Sequence, residues 1–340
     1  MTSLMRQEAL ETPAALIRQW NENEQLRREI ALEWRDFSPY SFVTLARGSS
    51  DHAAQYLNYL VSLKLKKMGT SLPPSILTLH QTVLDLSQSI CVAISQSGKS
   101  PDLIQPFEFF KKSHFETLAM VNVEDSPLAR AAKYCYPLKA GPELSVAATK
   151  SFIASLYASA SLIAEMDLDR QLSSSLEALP EKLILSQNEK WNQLITNLNK
   201  SARAMIVGRG LGFSIALEAA LKLKETCNIQ AEAFSAAEIK HGPQAIIEHG
   251  YPLIIFALKG PTQLGMVELA KEMRQRGAQV FLIADQSIPD RDGTYHTTDH
   301  EYLEPISCIQ SFYLMAEELA ISRGLDPDRP RSLSKVTMTL

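Results

Sequence analysis

The sequence has little of what marks secreted, membrane or nucleic-acid-binding proteins. Its four cysteines are far apart and form no CxxC pair, which argues against disulfides and a zinc knuckle. No apolar run reaches the roughly 18 residues that span a bilayer, and the first residues lack the apolar core of a signal peptide. A formal net charge of −4 argues against a basic surface for nucleic acid. We therefore expect a cytoplasmic protein with neither a membrane nor a nucleic-acid partner.

The chain is long enough for about two domains. Of its 340 residues 45% are apolar, which is ordinary for a globular protein and sufficient for sizeable cores. Apolar residues with charged residues between them predict a helical arm over residues 3–35, and Pro180 predicts a break in a polar helical connection. The predicted division is an arm over 1–35, a first domain over 36–170, a linker over 171–200, a second domain over 201–328 and a tail over 329–340.

Short apolar runs rich in β-formers predict the strands of the first domain. The first two runs end in small polar residues that precede predicted helices. A strand, a small-residue turn and a helix, in that order, are the step of a doubly wound α/β fold. The predicted elements are strands at 41–46, 89–94 and 117–122, and helices over 52–67, from Asp102, and from Ser151 to about Met166.

The second half of the chain repeats the first. Arg47-Gly48 follows one predicted strand and Arg209-Gly210 follows another, an offset of 162 residues (209 minus 47). The strands at 90–94 and 253–257 are offset by 163 residues (253 minus 90), and residues 280–285 supply a third strand. Offsets that agree within one residue predict a duplicated domain. We therefore expect an α/β chain of two tandem doubly wound, Rossmann-like domains, each a parallel sheet flanked by helices.

The loop from Ser95 to Ser100 differs between the halves. Three hydroxyls, an amide side chain and a glycine lie between a buried strand and a helix N-terminus, where free backbone N–H groups favour an anion. The second half has Leu-Lys-Gly-Pro-Thr-Gln at 258–263 instead. A Walker motif is absent, so no nucleoside triphosphate is implied. The loop predicts a phosphate site in the first half; the alternative is a Ser/Gly turn with an N-cap.

Charged residues form one face of the helix predicted around residues 216–227. Glu218, Lys222 and Glu225 follow each other at i, i+4 and i+7, and apolar residues occupy the opposite face. One interpretation is an ordinary surface ion pair between Glu218 and Lys222. The other is a catalytic group, in which Glu225 is a base, Lys222 a supporting cation and His241 an acid–base imidazole. A site of this kind would use the phosphate loop of the first half together with these residues of the second.

Two further segments carry local predictions. Ser235 and Glu238 predict a capping box that opens a short helix, and Gly242-Pro243 ends that helix. Residues 328–340 have the composition of a frayed basic terminus. Against that, Pro330 stiffens the segment, and its last five residues do not have a disordered composition. The one close histidine pair lies in a loop composition, so we expect no metal site.

Six motifs, in the same order along the chain, resemble those of the sugar isomerase (SIS) family. They are Arg47-Gly-Ser-Ser50, Ser95-Gln-Ser-Gly-Lys-Ser100, Ala140-Gly-Pro-Glu143 followed by Val146-Ala-Ala-Thr-Lys150, Leu221-Lys-Leu-Lys-Glu225, His241-Gly-Pro243 and Pro330-Arg-Ser-Leu-Ser-Lys335. The sequence is similar to the isomerase half of glucosamine-6-phosphate synthase and looks most like the SIS-type glucosamine-6-phosphate deaminases. The resemblance implies two tandem SIS domains.

The resemblance also implies a role for each residue of the site. Glu225 moves a proton between C1 and C2 with electrostatic support from Lys222. His241 helps to open the sugar ring and comes from the other subunit of a homodimer. Lys335 closes over the site, and in the synthase the corresponding lysine can form a Schiff base. No metal or organic cofactor is implied. The implied substrate-binding residues are Ser49, Ser50, Ser95, Gln96, Ser97, Ser100, Val146, Ala147 and Glu218.

The implied reaction converts glucosamine 6-phosphate and water to fructose 6-phosphate and ammonia. The chain begins Met1-Thr2 and lacks the N-terminal cysteine that the synthase uses to hydrolyse glutamine, which favours deamination over synthesis. Ala148 stands where the synthase has a serine, so the synthase's substrate contacts do not transfer directly. The alternatives are a galactosamine 6-phosphate deaminase, a deglycase of fructosamine phosphates, and a sugar-phosphate sensor, which needs the phosphate loop but no catalytic residues.

Overall fold

A computed structural model describes residues 2–335 of the chain. The segment 336–340, predicted as part of the tail, lies outside the described residues. The helices are α1 (Leu4–Leu10), α2 (Thr12–Glu22), α3 (Glu24–Phe37), α4 (Ser49–Leu60), α5 (Ser75–Thr78), α6 (Pro101–Lys112), α7 (Pro127–Ala131), α8 (Lys150–Met166), α9 (Arg170–Ser186), α10 (Asn192–Leu198), α11 (Leu211–Cys227), α12 (Gln263–Gln275) and α13 (Glu304–Ser322). The strands are β1 (Ser41–Leu45), β2 (Met68–Ser71), β3 (Ser89–Ser95), β4 (Glu116–Val121), β5 (Tyr134–Pro137), β6 (Arg203–Gly208), β7 (Gln230–Ser235), β8 (Pro252–Ala257) and β9 (Gln279–Ala284). Within residues 2–335, no helix is long and apolar enough to cross a membrane.

The described residues divide into two compact units. The first sheet unit contains residues 14–143, 150–177 and 334–335. The second sheet unit contains residues 2–13, 144–149 and 178–333. The loop that carries Val146 and Ala147 therefore groups with the second sheet, together with the beginning of the chain.

The first sheet is parallel throughout and has the strand order β2-β1-β3-β4-β5. Every residue of β3 is buried, as the continuous apolar run predicts for a parallel strand covered on both faces. Nearly all of α8 is buried, and α3 and α4 pack against it. Because the strands are parallel, the loops that follow β1, β3 and β4 lie at the same edge of this sheet.

The second sheet has the order β7-β6-β8-β9, which matches β2-β1-β3-β4 of the first. The match extends to the backbone where each unit turns from its first strand into a helix. Gly48, before α4, has φ 54° and ψ −132°, and Gly210, before α11, has φ 57° and ψ −132°. Only glycine adopts this conformation without strain. The prediction of two tandem doubly wound domains is confirmed.

The predicted capping box at Ser235 is wrong. Ser235 is the last residue of β7 and pairs in parallel register with Gly208, so its backbone belongs to the sheet. A 3₁₀ turn, Glu238–His241, begins three residues later, and its N-cap, Ala237, has no side-chain group that could cap it. Sheet pairing with β6 is stronger here than the local capping preference. The predicted end of the turn at Gly242 is confirmed, since this glycine has φ 147°.

The predicted break at Pro180 is also wrong, because α9 continues through it. Proline has no N–H group, so the carbonyl of Leu176, four residues earlier, loses its helical hydrogen bond. The hydroxyl of Tyr157 donates to that carbonyl at 3.0 Å. This tertiary hydrogen bond satisfies the carbonyl and removes part of the cost of an internal proline.

The helix predicted over 52–67 ends earlier than expected. Helix α4 stops at Leu60, one π-helical turn follows over Val61–Leu65, and Lys66 has φ 57°. The chain then forms β2, a short edge strand that the sequence did not indicate. Gly69 of this strand lies against Asn58, where a Cβ would approach the Asn58 backbone within 2.7 Å. Close packing of strand against helix therefore sets the end of the helix.

A buried carboxyl group at the start of α13 should make the stability of the second sheet unit depend on pH. Burial raises the pKa of Glu304 to about 7, although the N–H and hydroxyl of Thr298 both donate to it at 2.9 Å. The ordinary value is 4.5. Between these two pH values the folded protein keeps a proton that the unfolded chain has lost. The contribution is therefore fully present below pH 4.5 and is lost as the pH rises through 7.

We expect Glu304→Gln to unfold at a higher temperature than the wild type at pH 8 and at nearly the same temperature at pH 4.5. The amide keeps an acceptor for Thr298 and never ionises. The difference in the free energy of unfolding between the two proteins should therefore grow with pH to an upper limit of about 3 kcal/mol. Thermal unfolding of both proteins across this pH range is the measurement. A temperature difference that is independent of pH would contradict the assignment to Glu304.

Candidate functional site

Helix α11 places three charged residues on its buried side. The predicted apolar face is confirmed, since Ala216, Leu223 and Cys227 are fully buried. The charged face is buried as well: the exposed fraction is 0% for Glu218 and 1% for Lys222. The helix is covered on both sides, because strands β6 and β7 pack against it and helix α13 also packs against it. The interpretation as an ordinary surface ion pair is therefore wrong.

The ammonium group of Lys222 lies between two carboxylates. Its Nζ is 2.5 Å from Oε2 of Glu225 and 3.5 Å from Oε1 of Glu218. The hydroxyl of Tyr313, on α13, donates to the same Oε1 of Glu218 at 2.9 Å. Charge-assisted hydrogen bonds of this kind fix the side chains in one geometry. No sequence pattern indicated Tyr313, because it is 95 residues from Glu218.

Glu225 is the member of this group that reaches a cavity. Its side chain is 21% exposed, whereas Glu218 and Lys222 are sealed from solvent. The cavity has a volume of about 260 Å³, and its lining includes Lys224, Arg329 and Arg331. Lys222 holds Oε2 of Glu225, and Glu225 is itself one of the residues that line the cavity. Within the second sheet unit, Glu225 is thus a positioned carboxylate beside a space with several cations.

His241 lies at the end of the 3₁₀ turn that follows β7, and it is exposed. The turn is anchored by Ile239, which is fully buried. Ile246, in the next 3₁₀ turn, is an apolar residue with 53% of its surface exposed. The predicted role of His241 stays a prediction, and the geometry that the structure gives is an accessible imidazole next to an exposed apolar side chain.

The loop after β3 combines bound hydroxyls with a helix N-terminus. Oγ of Ser95 accepts the N–H of Gly98 at 3.0 Å, and Oγ of Ser97 accepts the N–H of Lys99 at 3.3 Å. Each hydroxyl keeps its own proton to donate. Ser100 is the N-cap of α6 but makes no capping hydrogen bond with its side chain. The loop is therefore a serine turn whose hydroxyl donors lie beside a helix N-terminus, an arrangement that is suited to bind an anion.

Gly98 is required by the shape of this loop. It has φ +60°, and a Cβ at this position would lie 2.1 Å from Oγ of Ser126. Its carbonyl accepts the N–H of Leu128 at 3.1 Å, so the loop is fastened to the start of α7. Gln96 is fastened on the other side, because its carbonyl accepts the N–H of Asn122. Two neighbouring segments thus hold the loop in place.

A cation that the sequence analysis did not single out as a functional residue stands beside this loop. Nε of Arg47, which follows β1, donates to Oδ2 of Asp102 at 2.7 Å. Asp102 is 1% exposed and lies in the first turn of α6, whereas the Arg47 side chain is 52% exposed. The predicted residues Ser49 and Ser50 open α4 directly after Arg47. The first sheet unit therefore holds a positive group where two of its helices begin.

Carboxylates fix the loop that carries Val146 and Ala147. Glu8 of α1, which is 4% exposed, accepts the N–H groups of Leu144 and Ser145. The N–H of Val146 donates to the carbonyl of Asp328 at 3.2 Å. Within the second sheet unit, the loop is thus held by the first helix and by the segment after α13.

The tail lysine pairs with a buried carboxylate. Nζ of Lys335 is 3.1 Å from Oε2 of Glu143, in the loop before α8. The side chain of Glu143 is completely buried, and that of Lys335 is 24% exposed. The N–H and the hydroxyl of Ser151 donate to the same carboxylate at 3.0 and 2.6 Å. The interpretation of this tail as frayed is therefore wrong as far as residue 335.

The predicted site residues fall into two groups by unit. The first sheet unit brings together the phosphate loop, Ser49, Ser50 and Lys335, and the second contains Glu218, Lys222, Glu225, His241, Val146 and Ala147. Over residues 2–335, no group of three or more His, Cys, Asp or Glu side chains is arranged to hold a metal ion.

Comparison with known proteins places both units in one family. The model of the SIS domain matches residues 39–165 and 197–290. The chain belongs to the SIS family. It is 33% identical to glutamine–fructose-6-phosphate aminotransferase (isomerizing) of Thermococcus kodakarensis, covering 97% of this chain and 57% of that protein. The enzyme of the same name from Sulfolobus acidocaldarius is 32% identical, covering 86% of this chain and 49% of the relative. The chain thus spans about half the length of these relatives.

Two solved structures match nearly all of the chain. A protein from Silicibacter pomeroyi DSS-3, described as a phosphosugar isomerase, is 36% identical with a TM-score of 0.91 and coverage of 96% of this chain and 100% of that one. The glucosamine-6-phosphate deaminase of Thermotoga maritima is 22% identical with a TM-score of 0.79, covering 99% of this chain and 100% of that one. The second likeness shows the shared fold alone.

We expect Lys222→Met to destabilise the protein strongly. The substitution removes the ammonium but leaves Glu218 completely buried with its charge, and such a change costs about 3–5 kcal/mol. Urea unfolding at pH 7 measures the loss. Adding Glu218→Gln removes the stranded charge, so the double variant should be more stable than Lys222→Met alone. A double variant that is less stable would contradict the view that burial of an unpaired charge is the cause.

We expect Gly98→Ala to weaken the binding of a sugar phosphate by about tenfold or more. The loop conformation proposed to bind the phosphate has a positive φ at residue 98, and alanine adopts that conformation only at a cost of about 1–2 kcal/mol, even without a clash. The new methyl group would displace Ser126 and open the loop. Calorimetric titration with fructose 6-phosphate is the measurement. Gly265→Ala is the matched control, because no atom lies within 4 Å of a Cβ there. Equal affinities for Gly98→Ala and the wild type would contradict phosphate binding by this loop.

Proposed function

We propose that the protein isomerises an amino-sugar phosphate and releases its amino group, converting glucosamine 6-phosphate and water to fructose 6-phosphate and ammonia. The observation that carries the proposal is the Glu225 carboxylate, held by a buried ammonium at 2.5 Å and directed to a cavity. An aldose becomes a ketose when a proton moves between C1 and C2, and a fixed carboxylate is suited to carry that proton.

Lys222 supports the proton transfer by fixing Glu225. A general base must lie at a defined distance from the proton that it removes. Lys222 holds Oε2 of Glu225 and also pairs with Glu218, and the hydroxyl of Tyr313 donates to Glu218. The remaining oxygen of Glu225 takes the proton from one carbon of the substrate and returns it to the neighbouring carbon.

We assign phosphate binding to the loop of Ser95, Gln96, Ser97 and Ser100. Hydroxyl donors and a helix N-terminus favour a dianion without requiring a nucleotide. Arg47, fixed by the buried Asp102, adds positive charge at the same edge of the first sheet. Ser49 and Ser50 would bind the hydroxyls of the sugar chain.

His241 is proposed to open the sugar ring from the other subunit of a homodimer. Ring opening needs a group that can both donate and accept a proton, as imidazole does. The exposure of His241 is compatible with this role, because an exposed imidazole is accessible to a neighbouring subunit.

Loss of the amino group follows from the isomerisation itself. Moving the proton from C2 to C1 makes the C2–N bond an imine. Water adds to that carbon, the C–N bond of the carbinolamine breaks, and ammonia leaves with the C2 carbonyl in place. No oxidant or reductant enters the reaction. Lys335 would act as a proton donor or a Schiff-base amine during these steps.

The relatives named glutamine–fructose-6-phosphate aminotransferase (isomerizing) support the sugar-phosphate part of the proposal. Their names include isomerisation, which is the step that Glu225 would perform. With ammonia and fructose 6-phosphate as substrates, the same residues would run the reaction in reverse. The assay should therefore be carried out in both directions.

We expect Glu225→Gln to lower kcat about 10²–10⁴-fold, the usual contribution of a general base. Binding of fructose 6-phosphate should change little, because the phosphate loop is intact. The measurement follows ammonia and fructose 6-phosphate released from glucosamine 6-phosphate. Glu268→Gln, an exposed carboxylate on α12, is the control that removes the same charge from the same unit.

A Glu225→Gln protein that deaminates as fast as the wild type would exclude Glu225 as the base. If the wild type yields neither product, galactosamine 6-phosphate and fructosamine phosphates should be tested. Binding of sugar phosphates without turnover of any of them would overturn the enzymatic proposal in favour of a sensor.

A further inference from the structure

The carboxylate of Glu143 is completely buried, although its partner Lys335 is partly exposed. Its side chain is 0% exposed, and it bonds to Lys335 and to both donors of Ser151. Burying a carboxylate costs free energy unless several hydrogen bonds compensate for it. An apolar side chain could fill the space before α8, but it could not hold an ammonium. The burial of this charge therefore indicates that Glu143 serves to hold the ammonium of Lys335.

The loop that carries Glu143 is fastened to the phosphate loop through Asn122. The side chain of Asn122 accepts the N–H of Ala140 at 2.9 Å and donates to the carbonyl of Gly141 at 2.8 Å. The backbone N–H of the same residue donates to the carbonyl of Gln96 at 3.2 Å. One residue thus connects the phosphate loop with the segment that leads to Glu143, and all of these bonds lie inside the first sheet unit.

The second half of the chain shows what is specific to this arrangement. Asp285 follows β9 where Asn122 follows β4, an offset of 163 residues (285 minus 122). A carboxylate cannot donate to a carbonyl as the Asn122 amide donates to Gly141. Instead Asp285 accepts from the side chain of Gln263 and from the N–H of Ser287. Among residues 2–335, the bonds that Asn122 makes to the phosphate loop and to the segment before Glu143 therefore have no counterpart at Asp285.

We infer that Glu143 is a positioning residue, which holds the ammonium of Lys335 at the edge of the first sheet and is itself held in register with the phosphate loop by Asn122. The inference rests on the proposed function, since it assigns Lys335 its position for that reaction. Glu143 acts through Lys335 and does not act on substrate. When a phosphate binds to the Ser95–Ser100 loop, the bonds of Asn122 keep Glu143, and with it Lys335, in a fixed position relative to that loop.

Limited trypsin digestion tests the pairing without any substrate. Trypsin cuts after Arg331 and Lys335, and the Lys335–Glu143 pair restrains this segment. We expect Glu143→Gln to speed cleavage after Arg331 about tenfold, the value of one charge-assisted hydrogen bond. Lys335→Met should speed cleavage after Arg331 equally, and it changes a side chain that is 24% exposed rather than fully buried. Asp167→Asn is the control, because it removes a carboxylate from the Lys64 pair in the same unit.

A double-mutant cycle on activity tests the positioning role. Glu143→Gln should lower kcat with little change in the affinity for fructose 6-phosphate. If Glu143 acts through Lys335, adding Glu143→Gln to Lys335→Met should cause no further loss of kcat. Glu143→Asp, which keeps the charge, should recover part of the activity of Glu143→Gln. A purely structural role would give losses that add up and no recovery.

The outcomes separate the inference from the proposed function. Unchanged cleavage after Arg331 in both Glu143→Gln and Lys335→Met overturns the pairing, whatever the activity. Faster cleavage together with additive losses of kcat overturns the positioning role and leaves the deaminase in place. Faster cleavage of the two variants, together with a wild type that turns over no amino-sugar phosphate, overturns the proposed function, and with it the role assigned to Lys335.

Discussion

The buried ammonium of Lys222 is the interaction on which the second sheet unit depends. Removing a charge from water is costly, and the cost is repaid here only because Glu218 and Glu225 both face the same Nζ. This requirement fixes the rotation of α11, because three residues on successive turns must point the same way. Tyr313 then fixes α11 against α13. The same pairing positions Glu225 beside a cavity, so the contacts that pack the helix also orient the carboxylate that is proposed as the base.

The two halves share a backbone but differ in charge at corresponding positions. Both turn into their first helix through a glycine with ψ −132°, and both sheets have the same strand order. Directly after β4, the first half has the neutral Asn122. Directly after β9, the second half has Asp285. Burial raises the pKa of Asp285, but hydrogen bonds from Ser287 and Gln263 more than offset this and lower it below the ordinary value. The negative charge of Asp285 would disfavour an anion in the second half, which is consistent with the proposal that the serine loop of the first half binds the phosphate.

The sequence predicted the parts of the fold whose signal is local. Buried central strands such as β3 and β8 are continuous apolar runs, and they were placed within one residue or two. The strands β2, β5 and β7 were missed because they are short or mixed in polarity, and their pairing with a neighbour stabilises them rather than their own composition. The continuity of α9 through Pro180 could not be predicted either, since it depends on a hydroxyl 19 residues from Leu176.

The site shows the same division between local and distant signals. Motif residues such as Glu225 were found from helical spacing, whereas the partner that a charge finds in three dimensions was not. Glu143 and Lys335 are 192 residues apart, and Glu8 and Ser145 are 137 apart. The loops concerned are too short to bury much apolar surface, so hydrophobic packing cannot fix them. Charge-assisted hydrogen bonds are strong enough to do so from a single side chain. A fold that must hold loops at the edges of two sheets therefore needs buried carboxylates, and their positions show which loops have to stay still.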